Sequence, residues 1–268
     1  MPQCSLNRVV TAYEKITDSE KRRSFQLEVP LPDSKDKKDV YVFIFPTYPQ
    51  YITFMTKVSL IAKTIGVYGY PIRVAVMKSG WRFPLPMYRC LQYLRYNNGI
   101  NEEGIFRLSP AKAELDRVKA MFNSEVESDS APFTDNITAS VVLKNYIGSL
   151  DDSLIPYTFY YQFIDIASLP THEEQVNKLK NMISVIPTVN QNCLWYLCDY
   201  LVEVYKHKDV NKMTEKNLGV CFSPNIVVCP NERSDADTLN DSDKLIAVFA
   251  LLITDFDTIF EDIIKENE

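Results

Sequence analysis

Few side chains in this sequence are spaced to do chemistry by themselves. The seven glycines, at 66, 69, 80, 99, 104, 148 and 219, are scattered. A pocket for nucleotide phosphates needs them grouped as G-x-x-x-x-G-K or G-x-G-x-x-G, so that backbone N–H groups can approach the anion. Neither pattern occurs. His172 and His207 stand apart near expected helix ends, outside any H-E-x-x-H motif, so neither a histidine-held metal nor a histidine base is indicated. Six cysteines, at 4, 90, 193, 198, 221 and 229, show no C-x-x-C spacing for zinc and read as reduced, mostly buried thiols. Asp235, Asp237, Asp241 and Asp243 read as a solvated polar loop, because no glycine marks the sharp turn of a calcium loop. The other carboxylates fall in loops or on solvated helix faces, which gives paired acid–base catalysis no particular support. No metal and no cofactor is expected.

Cations remain. Arg107 lies in Gly104-Ile105-Phe106-Arg107-Leu108-Ser109, just ahead of Ser109-Pro110, which reads as the N-cap and first-turn proline of the next helix. A guanidinium is planar, permanently charged and a multiple donor. Taken without its neighbours, Arg107 reads first as a surface partner of an acid such as Glu102 or Glu103. Lys144 sits in a helical stretch. If Ala139, Val142, Leu143, Tyr146 and Leu150 face the core, a step of about 100° per residue puts Lys144 roughly 140° from the centre of that stripe and Gly148 about opposite it. Both positions then point outward.

The elements that must hold these residues are mostly helices. Stripes at Met87, Cys90, Leu91 and Leu94, then at Ala111, Leu115, Val118 and Phe122, precede the Lys144 helix, with a stop at Asn98-Gly99 and an acidic loop through Glu125, Glu127 and Asp129. Further helices are expected at roughly 157–168, 172–185, 189–207, 214–222 and 242–264, from their apolar faces. Thr214 reads as an N-cap, and Pro224 as the end of the helix it begins. The first part differs. Ser24–Val29 and Val40–Phe45 are rich in β-branched and aromatic residues and are separated by the charged run Asp33–Asp39. They read as two strands, followed by a helix from Tyr51 to Ile65 that Gly66 and Gly69 end. The fold class is therefore mainly α, a many-helix bundle with a small N-terminal segment of strands plus a helix. Two or three strands and one helix cannot enclose a core of their own.

Composition sets the outer limits. With 46% hydrophobic and 24% charged residues the chain is ordinary and globular, and no apolar run approaches the roughly 20 residues that span a bilayer. The net charge of −6 argues against a nucleic-acid partner. Met1-Pro2-Gln3-Cys4 does not open a secretory signal, and the default expectation is a cytoplasmic monomer. Lys21-Arg22-Arg23 reads as a solvated turn.

Three motifs follow one another in order: Asn101–Ser109 around Arg107, then Val142-Leu143-Lys144-Asn145-Tyr146 with Leu154-Ile155-Pro156, then Asn211–Asn225. Together, over about residues 68 to 265, they resemble the Rho GTPase-activating (RhoGAP) domain. Residues 1–66 loosely resemble the second half of a pleckstrin homology domain, without the Trp typical of its helix and without its first strands. The RhoGAP resemblance implies a RhoGAP-type bundle that activates a Rho/Rac-family small GTPase in its GTP·Mg²⁺ form. The chain would not be a hydrolase in its own right. Arg107 would be a catalytic arginine finger supplied in trans, and Lys144, Asn217 and Asn225 would bind the GTPase. Asn217 would more readily tie its helix to neighbouring backbone. Membrane contact is not expected from this chain alone; recruitment would come through the GTPase.

The sequence also departs from the family pattern. Gly148 stands where a basic residue is common, Leu150-Asp151-Asp152-Ser153-Leu154 replaces a commoner Leu-Pro-Glu-Pro-Leu, and Ser223 replaces a frequent glycine. Glycine inside a helix costs about 1 kcal/mol against alanine, so Gly148 marks a kink or a close approach. These departures keep a second reading open, a RhoGAP-like binding module or scaffold with weak catalysis.

Overall fold

The computed structural model describes residues 8–11, 16–17, 20, 23–30, 38–47, 50–51, 53–54, 67–123, 132–229 and 235–267. It divides into two compact units, residues 1–64 and 65–268.

In the first unit, β1 (Arg8–Thr11), β2 (Ser24–Pro30) and β3 (Lys38–Ile44) form an antiparallel sheet in the order β1-β3-β2. The strand β1 adds to the two that residue type indicates. Alternation sets its faces: Leu27 and Tyr41, opposite one another in the register, are exposed, while Val42 and Ile44 are buried. Phe25 packs edge-on against Phe54 at 5.5 Å, and Phe45 lies 4.9 Å from Phe54, which covers the sheet with a helical turn. Most of the helix expected over Tyr51–Ile65, the charged run at 33–37 and Lys21-Arg22 lie outside the described residues. The Arg23 guanidinium donates to the Phe45 carbonyl, so this cation serves the turn and is not simply solvated.

The second unit is helical. Its helices are α1 (Ile72–Ser79), α2 (Leu85–Tyr96), α3 (Lys112–Asn123), α4 (Asn136–Gly148), α5 (Tyr160–Ile166), α6 (His172–Val185), α7 (Thr188–Lys206), α8 (Lys208–Asn211), α9 (Glu215–Ile226), α10 (Asp235–Thr254), α11 (Phe256–Ile259) and α12 (Glu261–Asn267). Caps explain several starts. Asp135 accepts from the Thr138 N–H at 2.6 Å, Thr171 and Glu174 form a reciprocal capping box, and Thr214 accepts from the Asn217 N–H at 3.2 Å. The helix α7 runs through the core, burying Cys193, Leu194, Leu197, Cys198, Leu201 and Val204. Burial pushes the Cys193 and Cys198 thiols up, so they stay protonated as packing groups.

Four boundaries differ from expectation. The helix after Arg107 begins at Lys112, with Ala111 supplying the first accepted carbonyl, so Ser109-Pro110 belongs to the connection and not to the cap. Pro224 lies inside α9, which runs on to Ile226. A proline near a helix end removes one hydrogen bond of the ladder, and burial of Ile226 together with the bond from the Val227 N–H to the Ser223 carbonyl carries the last turn past it. The acidic run at 235–243 is helical, and Asp241 is buried where it accepts from the Tyr160 hydroxyl at 2.8 Å. The single helix expected at 242–264 is three, separated at Asp255 and Phe260.

Candidate functional site

Arg107 is exposed on a tight turn whose shape is dictated by what lies on either side of it. Gly104 at φ +72° and Phe106 at φ +67° both take the left-handed conformation. That is free for glycine and strained for phenylalanine, so something must hold Phe106 there. Packing does: its ring is fully buried, in edge contact with Phe222 of α9 at 4.8 Å and with Tyr200 of α7 at 6.3 Å. The turn closes on the Gly104 carbonyl, which accepts from the Arg107 N–H at 2.9 Å and from the Leu108 N–H at 3.0 Å. The side chain of Arg107 folds back near Gly104, where an added Cβ would meet its Nη2 at 3.5 Å.

Lys144 of α4 is half-buried, and its ammonium donates to the Phe106 carbonyl at 2.5 Å. This is a charge-assisted bond from one helix to the strained residue of the turn. The helical phasing that turns Lys144 away from the core also turns it toward this loop. The two cations stand close enough to Cys221 of α9 to draw its thiol pKa down, although burial outweighs them and pushes it up. Cys221 is therefore a protonated neighbour of the cationic cluster, not a nucleophile.

A second support was not singled out from sequence. Asn211, the last residue of α8, is fully buried. Its side-chain amide donates to the Ile100 and Val204 carbonyls, both at 2.7 Å, its Oδ1 accepts from the Met213 N–H at 2.8 Å, and its own carbonyl accepts from the Gly104 N–H at 2.9 Å. One residue thus joins the end of α7, the approach to α9 and the start of the Arg107 turn. Its place at the head of the third motif was the available signal. Its depth was not legible, because an asparagine beside a lysine reads as surface until the chain around it is folded.

Asn217 and Asn225 both lie on α9, on partly exposed positions. The Asn217 amide donates to the Lys212 carbonyl at 2.9 Å and so fastens the turn before α9. The Asn225 amide donates to the Cys221 carbonyl at 2.9 Å in its own helix, and its Oδ1 lies where a side chain on Gly148 would stand, 2.5 Å from the Cβ that alanine would place there. Gly148 is therefore a close approach and not a kink. The structure brings Arg107, Lys144, Cys221, Gly148 and Asn225 onto α4, α9 and the Arg107 turn, with Asn217 two turns away on α9.

Ile155 anchors the second motif: its N–H donates to the Ile226 carbonyl at 2.8 Å, and the Asn190 amide caps the Leu154 carbonyl at 2.9 Å. The end of α9 is fixed this way. His172 pairs with Asp255 at 2.8 Å, and His207 contacts the Glu203 carbonyl at 2.9 Å, both outside this cluster. Among the described residues no group of three or more His, Cys, Asp or Glu is gathered to hold a metal ion, and no helix is long and apolar enough to cross a membrane.

Residues 84–231 match the family model of the RhoGAP domain. SH3 domain-binding protein 1 of Mus musculus is 30% identical over 205 residues, 75% of this chain and 30% of the relative. Rho GTPase-activating protein 24 of Homo sapiens is 35% identical over 147 residues, 54% of this chain and 19% of the relative. The chain thus spans less than a third of the length of these relatives. The crystal structure of human Rho GTPase activating protein 15 superposes with a TM-score of 0.67 at 18% identity, covering 76% of this chain and 96% of that one, a likeness of fold. The BH domain from GRAF, the GTPase regulator associated with focal adhesion kinase, gives a TM-score of 0.59 at 25% identity over 66% of this chain and 93% of that one.

Proposed function

The chain belongs to the RhoGAP domain family, and from that premise we propose that it accelerates GTP hydrolysis by a Rho/Rac-family small GTPase, with Arg107 as the finger. The single observation that carries this reading is the turn itself: an exposed arginine follows a buried, left-handed Phe106 whose carbonyl is held by Lys144. A side chain that must reach into another protein's site works best from backbone fixed beforehand, because ordering it on binding would subtract from the gain.

In phosphoryl transfer, negative charge spreads over the γ-phosphoryl oxygens and the leaving oxygen, and a GTPase alone meets that charge poorly. The Arg107 guanidinium supplies several donors and a fixed positive charge there, with an expected gain of roughly 10³ to 10⁵-fold in turnover. Lys144 holds the turn from behind, Asn225 and the exposed part of α9 meet the GTPase, and Asn217 keeps α9 in register with the turn before it. The GTPase brings GTP and Mg²⁺; this chain adds one arginine and the surface that places it. We assign the same proposal a monomeric, cytoplasmic protein, with residues 68–265 as the GTPase-activating unit and residues 1–66 as part of a pleckstrin-homology-like module, supported by the antiparallel pairing of β2 with β3. Limited proteolysis between residues 55 and 67, leaving an active C-terminal fragment, tests that division.

The test of function is single-turnover GTP hydrolysis across a panel of Rho-family GTPases. Acceleration by the wild type and none by Arg107→Ala supports the finger; equal acceleration by both overturns it. A second reading, a binding module with weak catalysis, is favoured by one observation: the Asn225 amide is spent inside its own helix on Cys221, across from a Gly148 with no side chain to offer. Capture of GTP-loaded GTPase with unchanged turnover would select that reading.

A further inference from the structure

The α1–α2 corner carries an aromatic and cationic surface that the GTPase reading does not use. Between Val67 and Asn101 there are five cations, Arg73, Lys78, Arg82, Arg89 and Arg95, and no Asp or Glu, in a chain whose net charge is −6. The facing part of α7, residues 188–198, has no acid either. Among the described residues the recorded acids lie at the margins: the Asp151 N–H bonds to the Tyr70 carbonyl on one side, and Asp199 and Glu203 pair with Arg95 on the other. Between those margins Trp81 is 60% exposed and Met77 is 43% exposed.

Trp81 is held out, not left loose. The Ser79 hydroxyl accepts from the Trp81 N–H at 3.1 Å and has its one proton shared between the Val76 carbonyl at 2.7 Å and the Phe83 carbonyl at 2.9 Å, while Gly80 at φ +64° turns the chain outward. Phe83 then stacks on Tyr196 of α7 at 4.1 Å, and the Trp81 ring stacks on Tyr88 at 5.4 Å. A large apolar ring with a polar N–H, rigidly presented among cations, is suited to the boundary between lipid headgroups and acyl chains, where indole sits and Arg stems lie along the surface. The loop also lies at the N-terminal end of α2, about 18 Å along its 12 residues from the end that leads into the Arg107 turn.

We propose that Trp81, together with Arg73 and Met77 of α1, Arg82 of the loop and Arg89 of α2, docks on an anionic membrane surface. The composition and the partner expectation drawn from sequence gave no membrane contact; the contact proposed here comes from segregation of charge on one corner, which net charge conceals. Anionic headgroups supply the attraction and the indole the insertion, the two signals that stable peripheral binding needs.

The test is sedimentation of the full chain with vesicles of phosphatidylcholine alone and with about one-third phosphatidylserine. Binding is expected only to the anionic vesicles, to weaken roughly fivefold for each cation removed in Arg82→Ala and Arg89→Ala, and to fall with added salt. Indole emission should shift to the blue on binding, and Trp81→Phe should abolish the shift, since the other tryptophan, Trp195, is packed against the core with its indole nitrogen buried. Unchanged unfolding midpoints show that the variants fold. Equal binding to both vesicles, or binding indifferent to Trp81, Arg82 and Arg89, overturns the proposal. So does capture of a polyglutamate peptide by these residues without vesicle binding, which would make the partner an acidic protein segment.

Discussion

The carbonyl of Asn211 accepts the Gly104 N–H at 2.9 Å, tying a fully buried asparagine to the first residue of the Arg107 turn. Asn211→Ala removes the partner of the Ile100 carbonyl and of the Met213 N–H, while the Val204 carbonyl keeps the His207 N–H. Each buried group so stranded costs about 1–3 kcal/mol, and partial relaxation should bring the total to roughly 2–4 kcal/mol. Chemical denaturation gives this directly. Turnover of a bound GTPase should fall in conditions where the variant is fully folded, with binding less affected.

Arg107→Ala should leave stability unchanged within about 0.5 kcal/mol, because the side chain is exposed. GTP hydrolysis should lose most of the roughly 10³ to 10⁵-fold gain while GTPase binding persists. Arg107→Lys should not restore it, since the ammonium is a compact point charge where the guanidinium is a planar fork of donors.

Lys144→Met keeps the apolar stem and removes the bond to the Phe106 carbonyl. A hydrogen bond from a charged group is worth about 1.5–3 kcal/mol. If that energy maintains the turn, turnover should fall by roughly 10- to 150-fold with the GTPase saturated. An unchanged turnover would reduce Lys144 to a surface cation.

Gly148→Ala sets two effects against each other. Alanine gains up to about 1 kcal/mol of helix propensity, but its Cβ would stand 2.5 Å from Asn225 Oδ1. The atom displaced ends a short flexible side chain, so the amide swings aside and the unfolding free energy should rise slightly or hold. GTPase affinity should change, and Gly148→Ala in an Asn225→Ala background should give the full stabilisation with no further change in affinity.

The acid limb of stability should report on Glu261. Hydrogen bonds from Lys180 and Lys265 hold its carboxyl down to about 2, from an ordinary 4.5. A depressed carboxylate contributes stability above its unfolded pKa and loses it as pH falls through the folded one. The small deficit of Glu261→Gln at neutral pH should therefore shrink between about pH 4.5 and 2, as thermal unfolding in that range would show.

Local chemistry was readable in the sequence wherever it acts over one helical turn. The cap at Thr214, the apolar stripe from Ala139 to Leu150 and the outward phase of Lys144 are questions of neighbouring residues. The ordered motifs likewise pointed to the family, since their spacing is a property of the chain. Ser109-Pro110 and Pro224 misled because a cap or a stop signal is worth about 1 to 3 kcal/mol, less than the burial of Val118, Phe122 and Ile226 that sets the true helix ends. Only the tertiary structure decided which groups meet across the fold. Asn211 beneath Gly104, Lys144 on the Phe106 carbonyl and Asn225 over Gly148 join residues 38 to 107 positions apart. Such contacts depend on how α4, α8 and α9 pack, and packing is a sum over the whole core that no local pattern contains.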